Sequence, residues 1–130
     1  MTIKKITKTM SKYFSPSEFK KCTPSCKISD MQPAFLDLLD KVRETAGIPL
    51  VLNCAYRSRA YDKAKGRSGN SAHTRGLAVD IRCNTNANRM KIVNAALLCG
   101  INRIGIGRTF IHIDCDRSLT PNVMWHYYDQ

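Results

Sequence analysis

The sequence predicts an α+β domain in which helices pack on one side of a small, mostly antiparallel sheet. Three observations lead there. Two segments repeat apolar residues at helical spacing, several short runs have strand length and β-rich composition, and glycines stand at the joints between them. At 130 residues the chain suits a single domain with its own core.

Residues 1–14 read as a flexible basic arm bearing Lys4, Lys5, Lys8 and Lys12, ahead of a domain over 15–130. Ser15-Pro16-Ser17-Glu18 has the signature of a helix start, with Ser15 as cap, Pro16 in the first turn and Glu18 three positions on. That short helix ends near Cys22. A longer helix runs from about Gln32 to Ala46. Its Phe35, Leu38, Leu39, Val42 and Ala46 share one face, and Gly47 stops it. Pro49–Cys54 reads as a strand centred on Val51 and Leu52. Tyr56–Ser71 is polar, basic and glycine-bearing, so it is a long loop or a short helix plus loop.

Leu77–Arg82 is the next strand. Asn86–Cys99 is an amphipathic helix with Met90, Val93 and Leu97 on one face and Gly100 at its end. Ile104–Gly107 and Phe110–Cys115 are two strands joined by a tight turn at Arg108-Thr109. Met124–Tyr128 reads as a terminal strand, with His126 structural or exposed.

The formal charge of +11 draws the chain toward polyanions but names no partner. No recognition helix, zinc finger or stacking platform is visible, so no specific nucleic-acid partner is expected. No apolar run is long enough to span a membrane. No apolar stretch follows the basic start, so no secretory signal is read, and the expectation is a cytoplasmic monomer. Six cysteines then need not form disulfides. Cys22 and Cys26, with Pro24 between them, suit either a small disulfide or part of a second metal site. Cys54, Cys83 and Cys99 read as small core residues.

The chemistry gathers around two of the three histidines. In Phe110-Ile111-His112-Ile113-Asp114, strand alternation sends His112 and Asp114 one way, about 6 to 7 Å apart at the backbone, and the isoleucines the other. In Leu77–Arg82, Ala78 and Asp80 share a face opposite Leu77, Val79 and Ile81. If the strands are neighbours, Asp80, His112 and Asp114 converge. Gly76 permits a bend that brings His73 over the same patch. Two imidazoles and one carboxylate make a three-ligand zinc site with a fourth position open. Such an ion acidifies water and polarises a peptide carbonyl.

These residues resemble a known family. Ser71-Ala72-His73-Thr74-Arg75-Gly76-Leu77-Ala78-Val79-Asp80, followed by His112-Ile113-Asp114, is similar to the zinc D-Ala-D-Ala carboxypeptidases and related phage endolysins. These share a fold with the Hedgehog signalling domain. Cys54-Ala55-Tyr56-Arg57-Ser58 resembles the family's S-G-Y-R-S segment. The resemblance spans about Phe14 to the C-terminus. It implies one zinc ion on His73, Asp80 and His112, and Arg57 as the arginine that holds substrate and supports the oxyanion. It also implies Ser71 as the motif serine, touching substrate or shaping the turn.

The implied substrate is a peptidoglycan stem peptide, cut at D-Ala-D-Ala or at a bond such as L-Ala-D-Glu. A phage lysin of this kind would pass from host cytoplasm to the periplasm and wall. The sequence departs from the family at three points. Thr109 stands where many members carry the glutamate that serves as general base, Arg59 replaces a common proline, and Asp62 a common asparagine. Asp114 is the nearest replacement base, with Asp116 next; the alternative role for Asp114 is to bond a ligand histidine and fix its tautomer. The missing glutamate also leaves open a non-catalytic zinc-binding module of the same fold.

Overall fold

A computed structural model describes residues 10–129. The elements run α1 (Pro16–Lys20), a 3-10 turn (Ile28–Asp30), α2 (Pro33–Ala46), β1 (Leu52–Cys54), α3 (Arg59–Ala64), a second 3-10 turn (Ala72–Arg75), β2 (Ala78–Arg82), α4 (Asn86–Leu98), β3 (Arg103–Ile106), β4 (Phe110–Asp114) and β5 (Val123–His126). The architecture is α+β. The sheet has the order β1-β2-β4-β3-β5, and every pairing is antiparallel except β3 with β5.

The expected arm is described only from residue 10, and residues 1–9 lie outside the described part. What is described is tied down. Asp40 on α2 accepts from the Ser11 hydroxyl (2.7 Å) and the backbone N–H of Lys12 (2.8 Å) and Tyr13 (3.1 Å), and Phe14 is buried. The packed domain therefore reaches back at least to Ser11. Helix α1 starts as its sequence requires: Pro16 occupies the first turn and the Glu18 carboxylate accepts from the Ser15 N–H at 2.8 Å. Helix α2 ends at Gly47, whose φ of 69° is the left-handed conformation that glycine adopts without strain.

The core lies between the sheet and helices α2 and α4. Val79, Ile81, Ile104, Ile111 and Ile113 supply it from the sheet, and Phe35, Leu36, Leu39 and Val42 from α2. Helix α2 turns a slightly different face inward than the spacing suggests: Leu36 is buried, while Leu38 and Ala46 sit at the margin. The expected face of α4 is wrong. Ile92, Ala95 and Ala96 are buried, while Met90 and Leu97 are exposed and Val93 is marginal. The helix packs against α2 with Ile92, Ala95 and Ala96 buried, while Met90, Leu97 and Leu98 are exposed.

Strand β1 begins at Leu52, later than the sequence suggests, and the Val51 side chain is exposed although its carbonyl accepts from Arg82 N–H. The hairpin between β3 and β4 forms as expected, closed by Gly107 N–H donating to Phe110 C=O.

Candidate metal centre

Strand register builds the centre. Asp80 on β2 pairs with His112 on β4, His112 with Gly105 on β3, Gly105 with Trp125 on β5, and Cys54 on β1 with Asp80. One row of residues thus crosses all five strands. The neighbouring row holds Ala78, Asp114, Arg103 and Val123. Alternation turns both rows away from the isoleucine core. Gly105 is needed where it stands: a Cβ there would lie 2.7 Å from Trp125 Nε1 and from Tyr127 Cε2, so the missing side chain makes room for these aromatics.

Cys54 corrects its expected place in the core. The register shifts by one between Leu52 and Cys54, so the strand bulges there. Leu52 stays with the core, while the Cys54 thiol comes to lie 3.8 Å from His73 Nδ1 and accepts from Arg57 Nε at 3.1 Å.

His73 sits in the 3-10 turn that follows Ser71. Gly76 ends that turn at φ 69° and packs so closely on Asp30 that a Cβ would run into the Asp30 carbonyl oxygen. The turn is held further by Arg57 N–H donating to the His73 carbonyl (3.1 Å). The His73 ring is almost fully buried. Its Nδ1 bonds the Ala55 carbonyl at 2.6 Å, which makes Nδ1 the protonated nitrogen, and Nε2 faces Asp80 Oδ1 at 3.4 Å. His112 Nδ1 reaches the same Asp80 oxygen at 2.9 Å, and its Nε2 bonds Asp114 Oδ2 at 2.7 Å.

Each imidazole is therefore anchored by one nitrogen and aims the other at a shared carboxylate oxygen. Burial alone would keep His73 neutral, but the charge and hydrogen bond of Asp80 outweigh it and push the imidazole up to about 10. Burial likewise acts to raise the Asp80 carboxyl, but His73 and His112 together hold it well below the ordinary carboxylate range.

This donor set suits a divalent ion. Ligands bound about 2.0–2.1 Å from a tetrahedral ion stand about 3.3 Å from one another, close to the 3.4 and 2.9 Å separations here. The anchoring partners, a backbone carbonyl for His73 and a carboxylate for His112, are those that orient metal-bound imidazoles. Among the described residues, the group whose ligand atoms all lie within 4.8 Å of one another is Cys54, His73 and Asp80, which shares two members with the expected set and has Cys54 in place of His112. The cavity at the centre is about 330 Å³. Arg57, Arg67, Arg103, Trp125 and Tyr127 are among its walls.

Sequence reasoning noted Asp62 only as a departure from the family, with no role, and passed over Arg103. Asp62 is fully buried. Its carboxylate accepts from Arg57 Nη1 (3.3 Å), the Ser71 hydroxyl (2.7 Å) and the Gly69 N–H (3.0 Å), so it ties Arg57 to the loop before His73. Ser71, expected to touch substrate or shape the turn, spends its hydroxyl here. Arg57 also has Nη2 4.0 Å from Asp80 Oδ2. Arg103 Nε donates to Asp114 Oδ1 at 2.8 Å, and its guanidinium lies over the Trp125 ring. The outward position of Arg103 beside Ile104 was available from strand alternation; the role of Asp62 carried no spacing signal.

Asp114, expected as the replacement base or as the partner of a ligand histidine, is enclosed by donors. Its oxygens take hydrogen bonds from His112 Nε2, Arg103 Nε and the Asp116 N–H, and it is fully buried on the Nε2 side of the imidazole, whereas Asp80 lies on the Nδ1 side. Asp116 lies past the end of β4 and accepts from Arg75 Nε (2.6 Å) and the Ser118 hydroxyl (2.6 Å), so it does not continue the strand face as expected. His126 is exposed and stacks on Tyr128.

With this geometry in view, the comparison with known families decides the kind of protein. A family model described as Peptidase M15 matches residues 12–116. The chain belongs to the peptidase M15 family. It is thus a hydrolase of the metallopeptidase type, and the match ends just past His112 and Asp114, so it contains the whole row from Cys54 to His112. No curated protein matches the chain. Among the described residues, no helix is long and apolar enough to cross a membrane.

Proposed function

We propose that this M15 peptidase is a one-zinc enzyme that hydrolyses peptides of the bacterial cell wall, with His73, Asp80 and His112 as the metal ligands. The observation that carries the reading is the pair of imidazole nitrogens, each anchored behind, that meet one oxygen of Asp80. Zinc in this setting supplies Lewis acidity to a peptide carbonyl and to water. His73 and His112 must be neutral at the coordinating nitrogen, and the bonds to Ala55 and Asp114 set that tautomer.

In this reading Asp114 acts through His112, holding the ring and its proton, and not as the base. Arg57 is the substrate residue. Its planar fork, fixed by Asp62 and Cys54, suits a terminal carboxylate or the oxyanion that develops at the scissile carbonyl. Arg67 and Arg103 add positive charge to the same cavity, which favours an acidic peptide such as the wall's stem peptide. Cys54 keeps Arg57 in place, and its thiol lies on the His73 nitrogen already bonded to Ala55, so we assign it no place among the ligands. A lytic role in phage release rests on the resemblance to endolysins.

A second reading is a zinc module that binds without cutting. It is favoured by one observation: of the carboxylates lining the cavity, Asp80 and Asp114 are both committed to other groups. One experiment separates them. Purified protein is incubated with muropeptide, with and without a chelator, and the products are identified by mass. Chelator-sensitive release of D-Ala indicates a carboxypeptidase, and a split stem indicates an endopeptidase. Zinc retention with no product supports the binding module and refutes the enzyme.

A further inference from the structure

Away from the metal centre, two thiols meet. Cys22 and Cys26 are both free, and their backbone N–H groups donate to one carbonyl, that of Phe19, at 3.2 and 3.1 Å. They differ in setting. Cys22 is buried, with its thiol donating to the Glu18 carbonyl (3.3 Å) and near the Leu52 carbonyl (3.9 Å). Cys26 is only half-buried and lines an open recess that Lys20 and Lys27 also border. Its thiol donates to the Phe19 carbonyl at 3.6 Å.

We propose that Cys22 and Cys26 form a reactive dithiol that closes to a disulfide by exchange with a small anionic disulfide such as oxidised glutathione. Cys26 is the attacking sulfur. Its thiolate bonds one sulfur of the small disulfide and expels a thiolate, which takes a proton from water. Cys22 then gives its proton to water and attacks Cys26 Sγ. That breaks the mixed disulfide and releases the second small thiol. Two protein thiols are oxidised and one small disulfide is reduced to two thiols.

The placement suits the chemistry in three ways. The exposed sulfur meets the reagent, the buried one resolves the adduct, and the two lysines attract an anion to the recess. The neighbouring Cys22 side chain, outweighing burial, also draws the Cys26 thiol down to about 7. The Cys26 side chain, with burial, in turn pushes Cys22 up, so the order of attack is set. The turn is stitched to β1, just ahead of Cys54, by Thr23 N–H to Asn53 C=O (2.9 Å). The closed form would therefore brace the segment that leads into Arg57. This inference stands on different residues from the peptidase reading and does not depend on it.

The test uses the full chain at neutral pH with oxidised glutathione, free-thiol counting and peptide mapping by mass. Two of the six thiols should disappear, both into a Cys22–Cys26 bridge. In Cys22→Ala, Cys26 should stop as the mixed disulfide. In the unaltered protein the first exchange should run about threefold faster than at an ordinary thiol, since about sixteenfold more thiolate is offset by about fivefold lower nucleophilicity, and Cys22→Ala, which removes the neighbour that lowers Cys26, should lose that advantage. Cys22→Ser, which nearly keeps the volume, gives the same reading should the alanine variant not fold. In Cys26→Ser the fast adduct should be absent. A bridge between other cysteines, an adduct on Cys26 that never resolves in the unaltered protein, or reaction no faster than at an ordinary thiol would overturn the proposal.

Discussion

Replacing Asp114 by asparagine tests how His112 is held. The carboxylate has three donors around it: His112 Nε2 at 2.7 Å, Arg103 Nε at 2.8 Å and the Asp116 N–H at 3.1 Å. An amide has one oxygen to offer and an NH2 group in place of the other. If its oxygen faces His112, the NH2 group meets the Arg103 guanidinium, donor against donor, with both groups largely shielded from water. If it turns over, the NH2 faces Nε2, and the ring must move its proton to Nδ1, the nitrogen aimed at Asp80.

The first arrangement loses a charge-assisted bond worth about 1.5–3 kcal/mol of stability. The second removes the lone pair that would bind metal. Loss of such an anchoring partner weakens metal binding about 10–100-fold, or about 1.4–2.7 kcal/mol. Asp114→Asn should therefore bind zinc at least about tenfold more weakly in competition with a chromophoric chelator. Its cleavage should recover substantially when zinc is raised to saturation. Unchanged zinc affinity with cleavage abolished at saturating zinc would refute the reasoning and return Asp114 to the role of base.

Other consequences can be checked separately. Gly76→Ala forces a left-handed residue, at about 1–2 kcal/mol, and also drives a methyl into the Asp30 carbonyl. Unfolding should move down by roughly 5–15 °C in a thermal melt at about 3–5 °C per kcal/mol, and no shift would remove the claim that this turn is fixed by Gly76. Arg57→Lys keeps the charge but loses the fork held by Asp62 and Cys54; kcat/KM should fall about 100-fold or more while zinc affinity stays within about twofold.

Acid should destabilise the fold through its buried carboxylates. Burial acts to raise Asp62 and Asp116, but Ser71, Gly69 and Arg57 in one case, and Ser118 and Arg75 in the other, hold both below their ordinary values. Depressed carboxylates stabilise the native state above the unfolded pKa near 4, and that stability is lost as pH falls through the folded values. Denaturant midpoints of the metal-free chain should rise slightly from pH 7 to about 5, because the raised His73 holds its proton in the folded state, and drop below about 4, with a shallower drop in Asp62→Asn. Zinc at about a hundredfold excess over its Kd should add about 2.7 kcal/mol, seen as a higher melting temperature that a chelator reverses.

Where a side chain's direction follows from strand alternation, the sequence was legible. The pattern Phe110-Ile111-His112-Ile113-Asp114 sorted core from site correctly, and Asp80 fell opposite His112 as the pattern required. The same rule misled at Cys54, because it assumes an unbroken strand and β1 bulges after Leu52. On α4, helical spacing chose a face of Met90, Val93 and Leu97, whereas the buried face is Ile92, Ala95 and Ala96. Asp62 was illegible for a different reason. Its partners lie five, seven and nine residues away along an irregular segment, and no periodicity links them.

Since Asp80 and His112 stand side by side in only one register of β2 and β4, assembling the centre and pairing these strands correctly are one event. Sliding β4 by one position against β2 would swap Ile111 or Ile113 for His112, expose aliphatic surface to water and bury two charged groups together. A misregistered molecule would thus forfeit its interior at the same stroke as its reactivity. Selection for a working centre alone would suffice to keep the strands in line.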